Sequence, residues 1–128
     1  MSDFAVRTSA AYVAEKRGWL RGPHGTEPGA NPSITLDFSL FTAEDHYPDG
    51  YIPSGTVVTA EGGPAAVEGT DAYGLLFNSE TVTDPAGKGV NAVVIHGFVD
   101  PSRLPLADDV AGGAPEAVRN VLSHIVWG

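Results

Sequence analysis

The residues able to do chemistry are few and scattered. Four histidines, His24, His46, His96 and His124, stand 22, 50 and 28 residues apart. Those intervals match no zinc signature and give no pair at ligand spacing on one helix face. His46 has Glu44, Asp45 and Asp49 close by, a grouping that reads as solvated charge or, at most, an incidental metal contact. His96 lies in an apolar run and reads as a core or interface histidine; His24 and His124 read as solvated. Ser54, in Pro-Ser-Gly, is the one serine in a suggestive turn, but the Gly-x-Ser-x-Gly elbow of a serine nucleophile is missing. Gly87-Lys88-Gly89 lacks the spacing of a phosphate loop, and no Ser or Thr follows the lysine. Acid pairs such as Glu44/Asp45 and Asp108/Asp109 sit in loop-like stretches, where solvation explains them. Cysteine is absent, which removes thiolate chemistry, disulfides and cysteine-ligated metal. The pattern assigns no catalytic residue, no metal ligand and no cofactor.

The elements that would carry such residues follow from composition and periodicity. A chain of 128 residues with 42% hydrophobic content is one folded domain by length. Sixteen glycines and ten prolines, against 18% charged residues, favour many short strands over long helices. Residues 1–30 carry Arg7, Lys16, Arg17 and Arg21 against Asp3, Glu15 and Glu27; residues 31–128 carry three bases against the remaining 13 acids. An acidic body repels phosphate backbones, so nucleic acid is not the expected partner. No apolar stretch approaches the ~18 residues of a membrane span, and the start shows no basic-then-apolar signal pattern. Synthesis in the cytoplasm and no membrane partner are the expectations.

Residues 1–33 read as an N-terminal arm and residues 34–128 as the body. In the arm Phe4, Val6, Tyr12, Val13, Trp19 and Leu20 are too dispersed for a core, and Gly, Pro and Asn interrupt residues 22–32. Tyr12 and Trp19 are the large aromatics of the arm, suited to anchoring at an interface; Trp19 folding back on its own body is the equal alternative. Ser33 to Leu40 alternates, with Ile34, Leu36, Phe38 and Leu40 on one face. A helical turn after Thr42, a turn at Asp49-Gly50 and a strand from about Thr56 follow. Tyr73 to Asn78 reads as a strand in which Gly74 marks a bulge or close approach. Residues 83–89 read as a hairpin tip. Val90 to Val99 reads as the longest strand, apolar on both faces, and so either central or laid against another subunit. Pro115 then starts a helix of about three turns whose stripe is Ala117, Val118, Val121, Leu122 and Ile125, with Trp127 near the end. The fold class expected is β-rich α+β: a small barrel- or sandwich-like body, a C-terminal helix and an extended arm.

At His-Tyr-Pro-Asp-Gly-Tyr-Ile-Pro-Ser-Gly-Thr-Val-Val, residues 46–58, the chain resembles the head decoration, or capsid cement, proteins of tailed phages, especially those of actinobacteria. The resemblance continues through Ala-Tyr-Gly-Leu-Leu-Phe-Asn at 72–78, Ala-Val-Val-Ile-His-Gly-Phe-Val at 92–99 and Arg-Leu-Pro at 103–105. It is more distantly similar to the lambdoid decoration protein: an arm, a small β-rich body and a late helix. The resemblance implies a homotrimer on the outer surface of an expanded phage head, at three-fold and quasi-three-fold sites. Its partner would be the major capsid protein, clamped by an arm that adds a strand to a capsid loop, with avidity from the three-fold arrangement. The arm residues expected to meet the shell are Phe4, Val6, Arg7, Tyr12 and Trp19. Those expected at the trimer interface are Val93, Ile95, Phe98 and Trp127. The family offers no catalytic residue to transfer.

Two other readings stand beside this one. A binding module for host surface glycans would use Tyr47, Tyr51 and Tyr73 as a stacking platform. A small hydrolase would need a histidine within hydrogen-bond reach of a serine or carboxylate in a pocket.

Overall fold

A computed structural model describes residues 18–22 and 31–128. Its centre is an antiparallel sheet in the order β1-β6-β4-β3, made of Ser33–Asp37 (β1), Lys88–Val94 (β6), Ala72–Leu76 (β4) and Val57–Thr59 (β3). Two strand pairs flank it. Tyr51–Ile52 (β2) runs antiparallel to Glu80–Thr81 (β5), and Gly97–Val99 (β7) runs parallel to Ile125–Trp127 (β8). Two short helices, Ala43–His46 (α1) and Glu116–Val121 (α2), complete the regular elements among the described residues. The β-rich α+β class expected from the turn-rich composition is the class that forms.

The central sheet is covered on both faces because its middle strands are apolar at consecutive positions. Val57 and Val58, Leu75 and Leu76, and Val93 and Val94 are all fully buried. Side chains alternate along a strand, so the pairs split. Val57, Leu75 and Val94 enter one core with Trp19, Val99, Val118, Leu122 and Ile125. Val58, Leu76 and Val93 enter another with Ile34, Leu36, Phe38, Phe41 and Ile52. Each such side chain contributes about 1.5–3 kcal/mol by leaving water. The two-faced apolar run is therefore central to the chain's own body. This corrects the placement of Val93 at a subunit interface, since its side chain is already enclosed by the second core.

Gly74 bears out the close approach expected of it. A Cβ there would overlap Val93 Cγ1 and stand 2.6 Å from the Val94 carbonyl oxygen. The pairing of β3 with β4 shifts register between Val58 and Thr59, beside Gly74.

Several boundaries differ from expectation for local reasons. β1 stops at Asp37, whose carboxylate accepts from the Ser39 N–H (3.1 Å) and hydroxyl (2.6 Å). That turns Phe38–Leu40 into a 3₁₀ turn and leaves Leu40 exposed. The apolar run at 90–99 divides into β6 and β7 around Ile95 and His96, and Val90 is 70% exposed. Residues 83–89 do not tip a simple hairpin, because β5 pairs with β2 instead of β6. The C-terminal helix spans six residues instead of three turns. The Leu122 and Ser123 N–H groups close its last turn onto Val118 and Val121 carbonyls. The β-branched Ile125 and Val126 with Trp127, all of high strand propensity, then pair with β7. Val121, expected on the buried stripe, is 43% exposed.

The boundary of the arm also moves. Trp19 is fully buried in the first core, Leu20 forms an antiparallel bridge to Val99, and Ser33 already belongs to β1. Residues 18–22 and 31–33 are thus part of the body.

Candidate functional site

Two surfaces carry the residues singled out in the sequence. The first is the outer face of β7 and β8. In-register parallel pairing sets Gly97 beside Ile125, Phe98 beside Val126 and Val99 beside Trp127. Alternation buries Val99 and Ile125 and turns Phe98 (43% exposed) and Val126 (58% exposed) outward as neighbours. The same register brings His96 and His124 together one step earlier, with ring centroids 6.1 Å apart and planes 23° from parallel. Both histidines are exposed. Two imidazoles distant in sequence thus sit beside two exposed apolar side chains.

The chain enters this face through Gly18–Gly22. Arg21 N–H donates to the Phe98 carbonyl (3.0 Å), and Asp100 N–H donates to the Trp19 carbonyl (2.7 Å). The Asp100 carboxylate meets Arg21 at 3.2 Å and Arg103 at 3.5 Å. It also accepts from the Ser102 hydroxyl at 2.7 Å. The Ser102 hydroxyl bond is the leading cause that holds the Asp100 carboxyl below its ordinary value, with the Ser102 N–H and the two arginines adding to it. The segment is thus fixed to β7 on one side while β8 lies on the other.

Trp19 carries an unsatisfied group into this junction. Its indole N–H is buried without a hydrogen-bond partner among the described residues. It lies against Gly55, where a Cβ would fall 2.8 Å from Trp19 Nε1 and 2.9 Å from Pro105 Cδ. Gly55 has φ +98°, so the turn needs glycine for its backbone as well as for space.

The second surface is a cavity of about 370 Å³ on the side of α1 and β2. α1 supplies Asp45 and His46, the following turn Pro48 and Asp49, and β2 supplies Tyr51. Pro53, the buried Ser54, Ser79, Arg103, Pro105 and Leu106 complete the lining. His46 is buried, with its ring edge-on to Phe41 at 5.5 Å between centroids. Its Nδ1 accepts from the Thr42 N–H at 2.8 Å, and its Nε2 lies 2.8 Å from the Ala111 carbonyl. A backbone N–H only donates and a carbonyl only accepts, so the neutral ring carries its proton on Nε2. Both nitrogens are committed to backbone. Ser54 donates its hydroxyl to the Phe77 carbonyl at 2.7 Å. The cavity therefore brings a histidine and two serines together without making a base–nucleophile pair, the arrangement a hydrolase would need.

The expected site residues divide accordingly. Phe4, Val6, Arg7 and Tyr12 lie outside the described residues, as does His24. Trp19 is in the body's own core, which corrects its assignment to a capsid contact: a fully enclosed ring offers no surface to a partner. Of the interface candidates, Val93 is interior, Ile95 packs on the second core, Trp127 packs on the first, and Phe98 reaches the surface. Tyr47 and Tyr73 pack on the second core while Tyr51 lines the cavity, so the three tyrosines are not a shared platform. Val126 and the His96–His124 pair were not singled out for this face, since only the parallel pairing of β7 with β8 brings them together. Among the described residues no group of three or more His, Asp or Glu is placed to hold a metal, and no helix is long and apolar enough to cross a membrane. Comparison with protein-family models, curated proteins and solved structures finds no match to this chain in any of the three.

Proposed function

We propose that this chain is a structural decoration protein of a tailed-phage head. It binds the outer surface of the expanded shell as a trimer and stabilises it by clamping neighbouring copies of the major capsid protein. The observation that carries the reading is the junction at Gly18–Gly22. The chain there is bonded into β7 and anchored by a buried tryptophan, beside Phe98, whose outward neighbour on β8 is Val126. A segment rooted that firmly beside an apolar strip transmits load from an arm to the body, which is what a clamp requires. The sequence resemblance adds to it. Its segments at 46–58, 72–78 and 92–99 include β2, β4 and β7 with parts of β3 and β6. The acidic balance of residues 31–128 suits a surface that faces solvent.

The test is the thermal disruption of expanded shells with and without saturating protein. A clamp raises the disruption temperature of the shell, because a ligand that binds only the intact assembly stabilises it by mass action. Unchanged disruption at saturation removes the reading.

A further inference from the structure

We infer that the cavity lined by α1, Tyr51 and Arg103 is a binding site for a neutral pyranose ring. Its volume of about 370 Å³ lies at the lower end of the ~300–1,000 Å³ range of small-molecule sites, the right scale for one sugar ring and its attendant water. The lining is of two kinds. Tyr51 and the proline rings of Pro48, Pro53 and Pro105 give flat apolar surfaces, against which the C–H face of a pyranose packs. Asp45 and Asp49 can accept hydrogen bonds, and Arg103 can donate them.

The mixed sign of this rim decides the ligand class. An anion meets two carboxylates and a guanidinium already paired with Asp100. A metal cation finds no group of three or more acids or histidines placed to hold it among the described residues. A neutral polyol offers hydroxyl donors to the carboxylates and hydroxyl acceptors to the arginine, without carrying a charge out of water. His46 and Ser54 do not compete, because the His46 nitrogens and the Ser54 hydroxyl are occupied by backbone. The site is lined by Tyr51 alone of the three tyrosines, so it holds one ring instead of spreading a chain over a platform.

Free sugar and a residue of a polysaccharide share this chemistry, and titration of the full-length protein separates them. The probes are methyl glucopyranoside, methyl mannopyranoside and methyl galactopyranoside in one arm and neutral hexasaccharides in the other. The readouts are amide chemical shifts and saturation transfer. At least one neutral pyranoside is expected to bind with a millimolar Kd and to shift the amides of Asp49, Tyr51 and Arg103. A hexasaccharide that binds at least tenfold more tightly identifies a polysaccharide as the source; equal affinities identify the free sugar. Asp49→Asn, isosteric at an exposed position, is expected to weaken binding about tenfold while leaving the remaining spectrum in place. Tyr51→Ala is expected to abolish it. No binding in either arm at tens of millimolar overturns the inference. So does binding that survives both substitutions, or tighter binding of glucuronate or glucosamine than of the neutral sugars.

Discussion

Replacing Trp19 tests whether the body begins before residue 33. The side chain is fully enclosed among Val57, Leu75, Val94, Val99 and Val118. Trp19→Ala removes the whole ring system and leaves a cavity that rigid strands on two sides close poorly. Such substitutions cost about 3–5 kcal/mol, a large share of the ~5–15 kcal/mol that holds a typical domain together. The melting temperature should fall by on the order of 15 °C or more, at about 4–8 °C per kcal/mol for a domain near this size. Trp19→Phe makes the sharper comparison. It loses burial worth about 2 kcal/mol, at ~0.8 kcal/mol per buried carbon. It also removes an indole N–H that has no partner among the described residues, relieving a cost of about 1–3 kcal/mol. The two effects nearly cancel, so Trp19→Phe should lie within about 1 kcal/mol of wild type. Urea unfolding followed by far-ultraviolet circular dichroism measures both. A Trp19→Ala protein within about 1 kcal/mol of wild type would show that the ring is not part of the folding unit, and the corrected boundary would be wrong. The result also governs how arm deletions are made: one that runs past residue 18 removes Trp19 from the core and confounds attachment with stability.

Other outcomes follow from the same structure. His46→Ala should destabilise by about 2–4 kcal/mol, because it empties a buried site and strands the Thr42 N–H and the Ala111 carbonyl; thermal melts check it. Gly55→Ala should cost at least about 1–2 kcal/mol from its positive φ alone, with further loss from overlap with Trp19 and Pro105; urea midpoints check it. Asp37 and Asp100 are held below the ordinary carboxyl value, first by hydrogen bonds from the hydroxyls of Ser39 and Ser102. A depressed value in the fold means stability that is present above the unfolded pKa of about 3.9 and lost as pH falls through the folded value. The urea midpoint should therefore drop below about pH 4, and the Asp37→Asn, Asp100→Asn double variant should drop less steeply. Phe98→Ser with Val126→Ser, both exposed, should leave folding intact and weaken self-association in sedimentation equilibrium; an unchanged association constant would place the trimer contact elsewhere.

The sequence showed the class of the body more clearly than its surfaces. Period-2 alternation found β1, and the apolar run at 90–99 announced a strand covered on both sides. What alternation leaves open is which cover is the chain's own. Val93 was placed at an interface for that reason, and the second core claims it. The helix stripe through Ile125 was equally consistent with helical spacing, but a last turn closed on Val118 and Val121, followed by pairing with β7, ends it at Val121. The face made by Phe98, Val126, His96 and His124 had no local signal, because it depends on a parallel pairing between strands far apart in the chain. The cavity was half visible. The sequence groups His46 with Glu44, Asp45 and Asp49 and sets Tyr51 with the other tyrosines, whereas Tyr51, Arg103 and Pro105 join His46, Asp45 and Asp49 through the fold.

The most direct test of the decoration function is cosedimentation of the full-length protein, and of a version lacking residues 1–17, with expanded and unexpanded shells of the major capsid protein. The full-length protein should pellet with expanded shells and not with unexpanded ones. The shortened protein, with Trp19 and the body intact, should remain folded and stay in the supernatant. Equal pelleting of both proteins, or no preference for the expanded shell, would contradict attachment through the arm.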